Sequence, residues 1–144
     1  MNKQEMLALM NANPAFFLAT ADGDQPRVRG MLLYRADEKG IIFHSGTMKD
    51  VYTQITKNPK VECCFNDFKT GRQLRVRGQL EIVNDNALKD EIASHPSRAF
   101  LKPWKESGEL SDFYKTFAVF KMTDGVGVTW TIDTNFEPKV DVVL

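Results

Sequence analysis

The 144 residues carry 19 Lys+Arg against 19 Asp+Glu, a length that can bury one core without staples and a charge balance that provides no global positive field for a polyanion. Nucleic-acid binding is therefore not expected, any anion site has to be local, and a single domain over residues 1–144 is the expected organisation. No apolar run reaches the roughly 18 residues of a membrane span, and MNKQEMLALMNANP has neither a basic start nor a small-residue cleavage site, so no membrane partner is expected and the cytoplasm is the expected compartment.

In chain order, Met6, Leu7, Leu9 and Met10 predict a helix that stops near Asn13-Pro14, because the residue before proline avoids the helical region. FFLATA, RVRGMLLY and GIIFHS follow, separated by the short turn-rich connectors DGDQP and ADEKG, and predict an antiparallel meander. Met48, Val51, Tyr52 and Ile55 recur at helical spacing and predict a helix from Met48 to about Lys57, ended by Asn58-Pro59. KVECCF and RQLRVRGQLEIV read as strands. In the second, Leu74, Val76, Leu80 and Ile82 share one face, and Arg75, Arg77, Gln79 and Glu81 share the other, where Glu62 or Glu81 are the expected partners of the arginines. Cys63 and Cys64 are adjacent on a strand, point to opposite faces and are expected to be reduced. NDNALKDEIASH predicts a helix with Asn or Asp as its cap, and the stretch from His95 to Asp112 reads as irregular. FAVFKMT and GVGVTWTID read as a last hairpin around Asp124-Gly125, and KVDVVL as a terminal strand. Six or more strands with a few short helices predict a mainly β fold, a small barrel that removes its sheet edges by closing.

The densest chemistry lies where QPRVRGM meets FHSGTMKD. If the two strands are hairpin neighbours turning near Lys39-Gly40, Arg27 and Arg29 meet Ser45, Thr47 and Lys49 at one end of the barrel. Cations around a helix start, whose free N–H groups point outward, suit a phosphate dianion; a solvated strand end with ordinary surface charges suits the same pattern. His44 is either a candidate proton relay or donor beside that cup or a structural histidine at a strand end. Trp130 is either a packing residue or a flat ring over a ligand. His44 and His95 are far apart and lack further ligands at metal spacing, so no metal site is expected. No G-x-S-x-G, P-loop or G-x-G-x-x-G occurs, which removes the mechanical parts of hydrolase, nucleotide-triphosphatase and Rossmann chemistry.

The succession FLATADGDQPRVRGMLLY, GIIFHSGTMKDVYTQITKNPKVECCF and RQLRVRGQLEIV resembles the six-stranded, FMN-binding split β-barrel of the pyridoxamine 5′-phosphate oxidase superfamily, from about Phe16 to Val83 and more weakly to Trp130. The resemblance implies FMN as cofactor, with Arg29, Ser45, Thr47 and Lys49 around its phosphate. It also implies the backbone of Arg29, Gly30, Met31 and Leu32 along the isoalloxazine edge, Gln73 reaching the ring from the side, and a homodimer with the cofactor at its interface. The departures are as informative. The oxidases proper have a basic residue at the place of Tyr34, a Ser-Arg-Lys run where this chain has Thr-Met-Lys, and an Arg-x-His motif where TIDTNFEPK stands. The expectation is thus an FMN-dependent oxidoreductase of the short branch similar to general-stress-like proteins and nitroimidazole-resistance reductases, with His44 matching their third-strand histidine and the substrate a small molecule other than pyridoxine phosphate. The alternatives are a flavin-binding protein for storage, electron transfer or sensing, and a barrel holding deazaflavin or haem.

Overall fold

The computed structural model describes residues 1–107 and 112–144. Helix α1 (Lys3–Ala12) starts in a capping box, in which the Asn2 side chain accepts from the Glu5 N–H at 2.9 Å and the Glu5 carboxylate accepts from the Asn2 N–H at 2.7 Å. Its buried face, Met6, Leu7, Leu9 and Met10, packs into the main core. Strands β1 (Ala15–Asp22), β2 (Gln25–Asp37) and β3 (Gly40–Gly46) form the expected meander. Helix α2 (Asp50–Lys57) begins two residues later than the periodicity suggests, so Met48 lies outside it and Lys49 becomes its N-cap residue. Strands β4 (Lys60–Asp67) and β5 (Arg72–Ile82) follow, then helix α3 (Asn86–Ser94), capped by Asp85.

The stretch from His95 onward departs from expectation. It contains a 3-10 segment, Pro96–Leu101, and helix α4 (Lys102–Ser107); residues 108–111 of that stretch lie outside the described residues. Two prolines hid the helical content, although each sits in the first turn of its helix, where a missing N–H costs nothing. A one-turn helix α5 (Phe113–Thr116) leads into β6 (Phe117–Met122), β7 (Val126–Trp130) and the short β8 (Val142–Val143).

The hairpin expected at Asp124-Gly125 does not form. β6 and β7 both run antiparallel to β5, Leu80 opposite Met122 and Arg77 opposite Val126, so they lie end to end along the same strand with a one-residue offset between them. Asp124 takes φ 54° at that offset, and Gly125 fits because a Cβ there would meet the Met122 sulfur at 2.8 Å. Six strands in the order β4-β1-β2-β3-β6-β5 close through the β4–β5 pairing, while β7 and β8 extend the sheet from β5. The protein is a closed antiparallel β-barrel with a few short helices, as its alternating strands imply.

Inside the barrel, Leu18, Phe43, Phe65, Leu74, Val76 and Phe120 are sealed, and Phe16 stacks on Phe65 at 4.7 Å. Both faces of β3 are covered. Ile41 and Phe43 point into the barrel, whereas Ile42 meets a second apolar cluster of Ile92, Leu101, Phe113, Phe117 and Val119 beneath the helices. This second layer brings the 3-10 segment against His44.

Candidate functional site

The ladder between β2 and β3 stops at Leu33 opposite Phe43, just past a register shift at Tyr34. Beyond it the strands part: residues 25–32 of β2 pair only with β1, and His44, Ser45 and Gly46 of β3 pair only with β6. A fork therefore opens in the barrel wall, leaving one edge of β2 without a strand partner. Two adjoining cavities fill it.

The first, about 720 Å³, is lined by Arg27, Arg29, Gly30 and Met31 of β2, by Asp22 and Ser45, and by Lys49, Asp50, Val51, Thr53 and Gln54 at the start of α2. The second, about 470 Å³, is lined by Gly30, Met31, Leu32, His44, Ser45 and Lys49, and closed by Phe100, Leu101, Pro103 and Trp104. Both volumes fall within the range of roughly 300–1,000 Å³ common to ligand pockets. Gly30 lines both, and a Cβ added there would meet no atom within 4 Å, so its bare backbone faces open space.

At the floor of the first cavity, Arg29 donates from Nη1 to Thr20 Oγ1 at 2.7 Å and to the Leu18 carbonyl at 3.2 Å, and from Nη2 to Gln54 Oε1. Thr20 in turn donates to Gln54 at 2.6 Å, and both are buried. These neutral partners orient the guanidinium without neutralising it. Among the described residues no carboxylate lies within ion-pair distance of Arg29 or Lys49, whereas Arg27 is paired with Asp22 at 3.3 Å. Burial, then the charge of Arg27, lowers the proton affinity of Arg29, and Asp50 acts in the opposite sense. Lys49 gives no side-chain cap to α2; its own N–H donates to the Gly46 carbonyl and the Tyr52 N–H to the Lys49 carbonyl, while the amides of Asp50 and Val51 at the helix start have no partner among the described residues.

His44 lies at the wall of the second cavity, held by the 3-10 segment and by β6. Its Nε2 accepts from Arg98 Nε at 2.9 Å, and its ring packs on Phe117 at 5.0 Å. Burial, then the charge of Arg98, pushes its pKa down to about 4, so the neutral imidazole is the favoured form at pH 7.

The fork thus gathers Arg27, Arg29, Gly30, Met31, Leu32, His44, Ser45 and Lys49. Thr47 lines neither cavity; its N–H bonds to the Thr116 carbonyl at 2.9 Å. Gln73 and Trp130 face each other across β5 and β7 and line a separate recess with Arg75 and Lys139. There Gln73 donates to Asn66 at 3.0 Å and Trp130 to Asn135 at 2.7 Å. Sequence reasoning missed Thr20, Gln54 and Arg98. Gln54 carried a signal, since it lies three residues after Val51 and one before Ile55, on the buried side of α2.

Residues 3–123 match the family model described as pyridoxamine 5′-phosphate oxidase. The chain belongs to that family. A pyridoxine/pyridoxamine 5′-phosphate oxidase of Rhodopseudomonas palustris is 34% identical over 113 residues, which cover 76% of this chain and 53% of the relative. The chain spans about half the length of the curated relatives it matches. Among solved structures, a NimC/NimA family protein of Clostridium acetobutylicum aligns with TM-score 0.77 and 25% identity over 98% of this chain and 92% of the other. A pyridoxamine 5′-phosphate oxidase-related, FMN binding protein of Nostoc punctiforme aligns with TM-score 0.68 and 16% identity over 96% and 87%, a likeness of fold. Within the pyridoxamine 5′-phosphate oxidase family, this member has an aromatic wall at Phe100 and Trp104 and no membrane-spanning helix among its described residues.

Proposed function

We propose that the protein is a homodimeric FMN-binding oxidoreductase acting on a small molecule other than pyridoxine phosphate. The observation that carries this reading is the pair Arg29 and Lys49, free of carboxylate partners among the described residues and set beside the uncapped start of α2. A phosphate dianion fits that arrangement, accepting charge-assisted hydrogen bonds from both side chains and from helix amides. The unpartnered edge of β2 and the open space over Gly30 fit a flat ring lying from the first cavity toward the second. When bound, the flavin supplies the redox chemistry of its ring. The chain holds the phosphate through Arg29, Ser45 and Lys49, offers backbone groups of Gly30 to Leu32 to the ring edge, and screens the reacting face with Phe100 and Trp104.

A phosphorylated substrate would need a second cationic cradle. Lys49 is the one cation among the described residues lining the second cavity, and it is shared with the first. An uncharged, largely apolar substrate suits the remaining wall. The homodimer is supported by the outer face of β1, β2 and β4, where Phe17 (53% exposed), Val28 (68%) and Cys64 form an apolar surface beside Gly30. By strand alternation Gln73 and Trp130 lie on this same outer face, two residues beyond the row that contains Cys64, and reach a flavin only when a second copy presents them.

The absorption spectrum of the purified protein after incubation with FMN, followed by anaerobic addition of NADH or NADPH, tests the reading. Flavin bands that bleach with either nicotinamide support an oxidoreductase. Flavin bands that neither cofactor bleaches turn the reading to storage, electron transfer or sensing. A protein that retains no flavin, or that carries a haem or deazaflavin spectrum, overturns it.

A further inference from the structure

The 3-10 segment Pro96–Leu101 places one guanidinium, that of Arg98, at the vertex of the β2–β3 fork. Its side chain is 3% exposed, and among the described residues no carboxylate lies within ion-pair distance of it. Three of its five N–H donors meet acceptors: Nη2 the Leu33 carbonyl at 2.6 Å, Nε the His44 Nε2 at 2.9 Å, and Nη1 the Ser97 Oγ at 2.9 Å. Leu33 is the last β2 residue paired to β3 at this end, and His44 is the first β3 residue past that pairing. One side chain therefore ties the two arms of the fork together where they separate.

A guanidinium has donors only, so the ring nitrogen it meets has to accept. The single proton of the neutral imidazole then resides on Nδ1. That nitrogen has no protein partner among the described residues and is not one of the sealed, unsatisfied side-chain atoms, while the ring itself lines the second cavity. We propose that Arg98 is a positioning residue that fixes His44 as the Nδ1–H tautomer and so presents a hydrogen-bond donor to the occupant of the second cavity. The use of that donor beside a flavin rests on the function proposed above, but the tautomer itself does not.

His95 provides an internal contrast. Its Nδ1 faces the Ser97 N–H at 3.2 Å and Ser97 Oγ at 2.7 Å, so the opposite tautomer, with the proton on Nε2, is the one expected there. Long-range nitrogen–carbon NMR correlation of the imidazole rings, recorded above neutrality on flavin-free protein, reads both tautomers, and His95→Gln assigns them. The expected wild-type result is His44 with Nδ1 protonated and Nε2 bare. Arg98→Lys keeps a cation that can reach the Leu33 carbonyl but lacks the geometry for all three acceptors, and it is expected to convert His44 into a mixture of tautomers. An Nε2–H form of His44 in the wild type, or an unmixed Nδ1–H form in Arg98→Lys, would overturn the proposal. If Arg98→Lys does not fold, the wild-type spectrum decides alone. Because no flavin is present, this result is independent of whether FMN binds.

Discussion

His44 shows how far a residue's surroundings override its ordinary chemistry. An exposed imidazole changes charge between about pH 5 and 8, but here burial and the Arg98 charge lower the pKa to about 4. The unfolded chain therefore binds the proton before the folded one does, and stability is full above the unfolded value and lost as pH falls through the window from 6.5 to about 4. The shift corresponds to roughly 3 kcal/mol across that window. Urea unfolding of wild type and His44→Gln at pH 7 and 4.5 is expected to show a markedly smaller acid loss in the variant; equal losses would mean that His44 charges as easily when folded. The sequence made His44 and the cations at Arg29 and Lys49 legible, because charged and small polar residues between a strand and a helix stand out. Arg98 was not legible, being 54 positions from His44 and in a stretch without periodicity. Thr20 was not legible either, since a hydroxyl at a strand end has many uses.

At the scale of elements, strand alternation and helix spacing located the strands and the first three helices, whereas the helical turns after His95 and the way β6 and β7 connect escaped them. Asp-Gly between apolar runs is a strong hairpin signal, yet β5 spans 11 residues, long enough to accept β6 and β7 in succession along one edge. Tertiary pairing with that long strand won over the local turn preference. Arg77 shows the same limit, since its partner is Asp141 at 2.6 Å and not Glu62 or Glu81, because the C-terminal segment folds back over β7. The Asp124 bulge gives a test. At φ 54° an aspartate is tolerated and glycine is comfortable, while a β-branched residue is strained. Asp124→Val is expected to lower unfolding free energy by about 1–2 kcal/mol, and Asp124→Gly to stay within about 1 kcal/mol of wild type. Equal stability of the two variants would place residue 124 in ordinary extended backbone.

For the whole molecule, the division of labour follows from the fork. One side of the barrel opens to the two cavities, and the adjoining outer face exposes Phe17 and Val28. A second copy covering that face would exclude water from the apolar patch and bring Gln73 and Trp130 toward its neighbour's cavities. Phe17→Glu places a charge in the middle of the patch and is expected to shift the protein from dimer to monomer in sedimentation velocity while leaving the far-UV circular dichroism unchanged. A wild-type monomer at the same concentration would remove the dimer from the account. The barrel itself was legible because closure is what many short alternating strands require; the homodimer came from the family resemblance alone, since an exposed phenylalanine reads alike on a monomer and at an interface.

A fork that binds a flavin through its phosphate has to distinguish FMN from riboflavin, and fluorescence titration of both flavins with wild type and Lys49→Ala measures that difference. Each charge-assisted hydrogen bond lost is worth roughly 1.5–3 kcal/mol, about ten- to hundredfold in affinity. Wild type is expected to prefer FMN over riboflavin by at least about tenfold, and Lys49→Ala to narrow that preference by weakening FMN binding while riboflavin binding stays the same. Equal affinity of wild type for the two flavins, or an FMN preference undiminished in Lys49→Ala, would contradict binding through the phosphate.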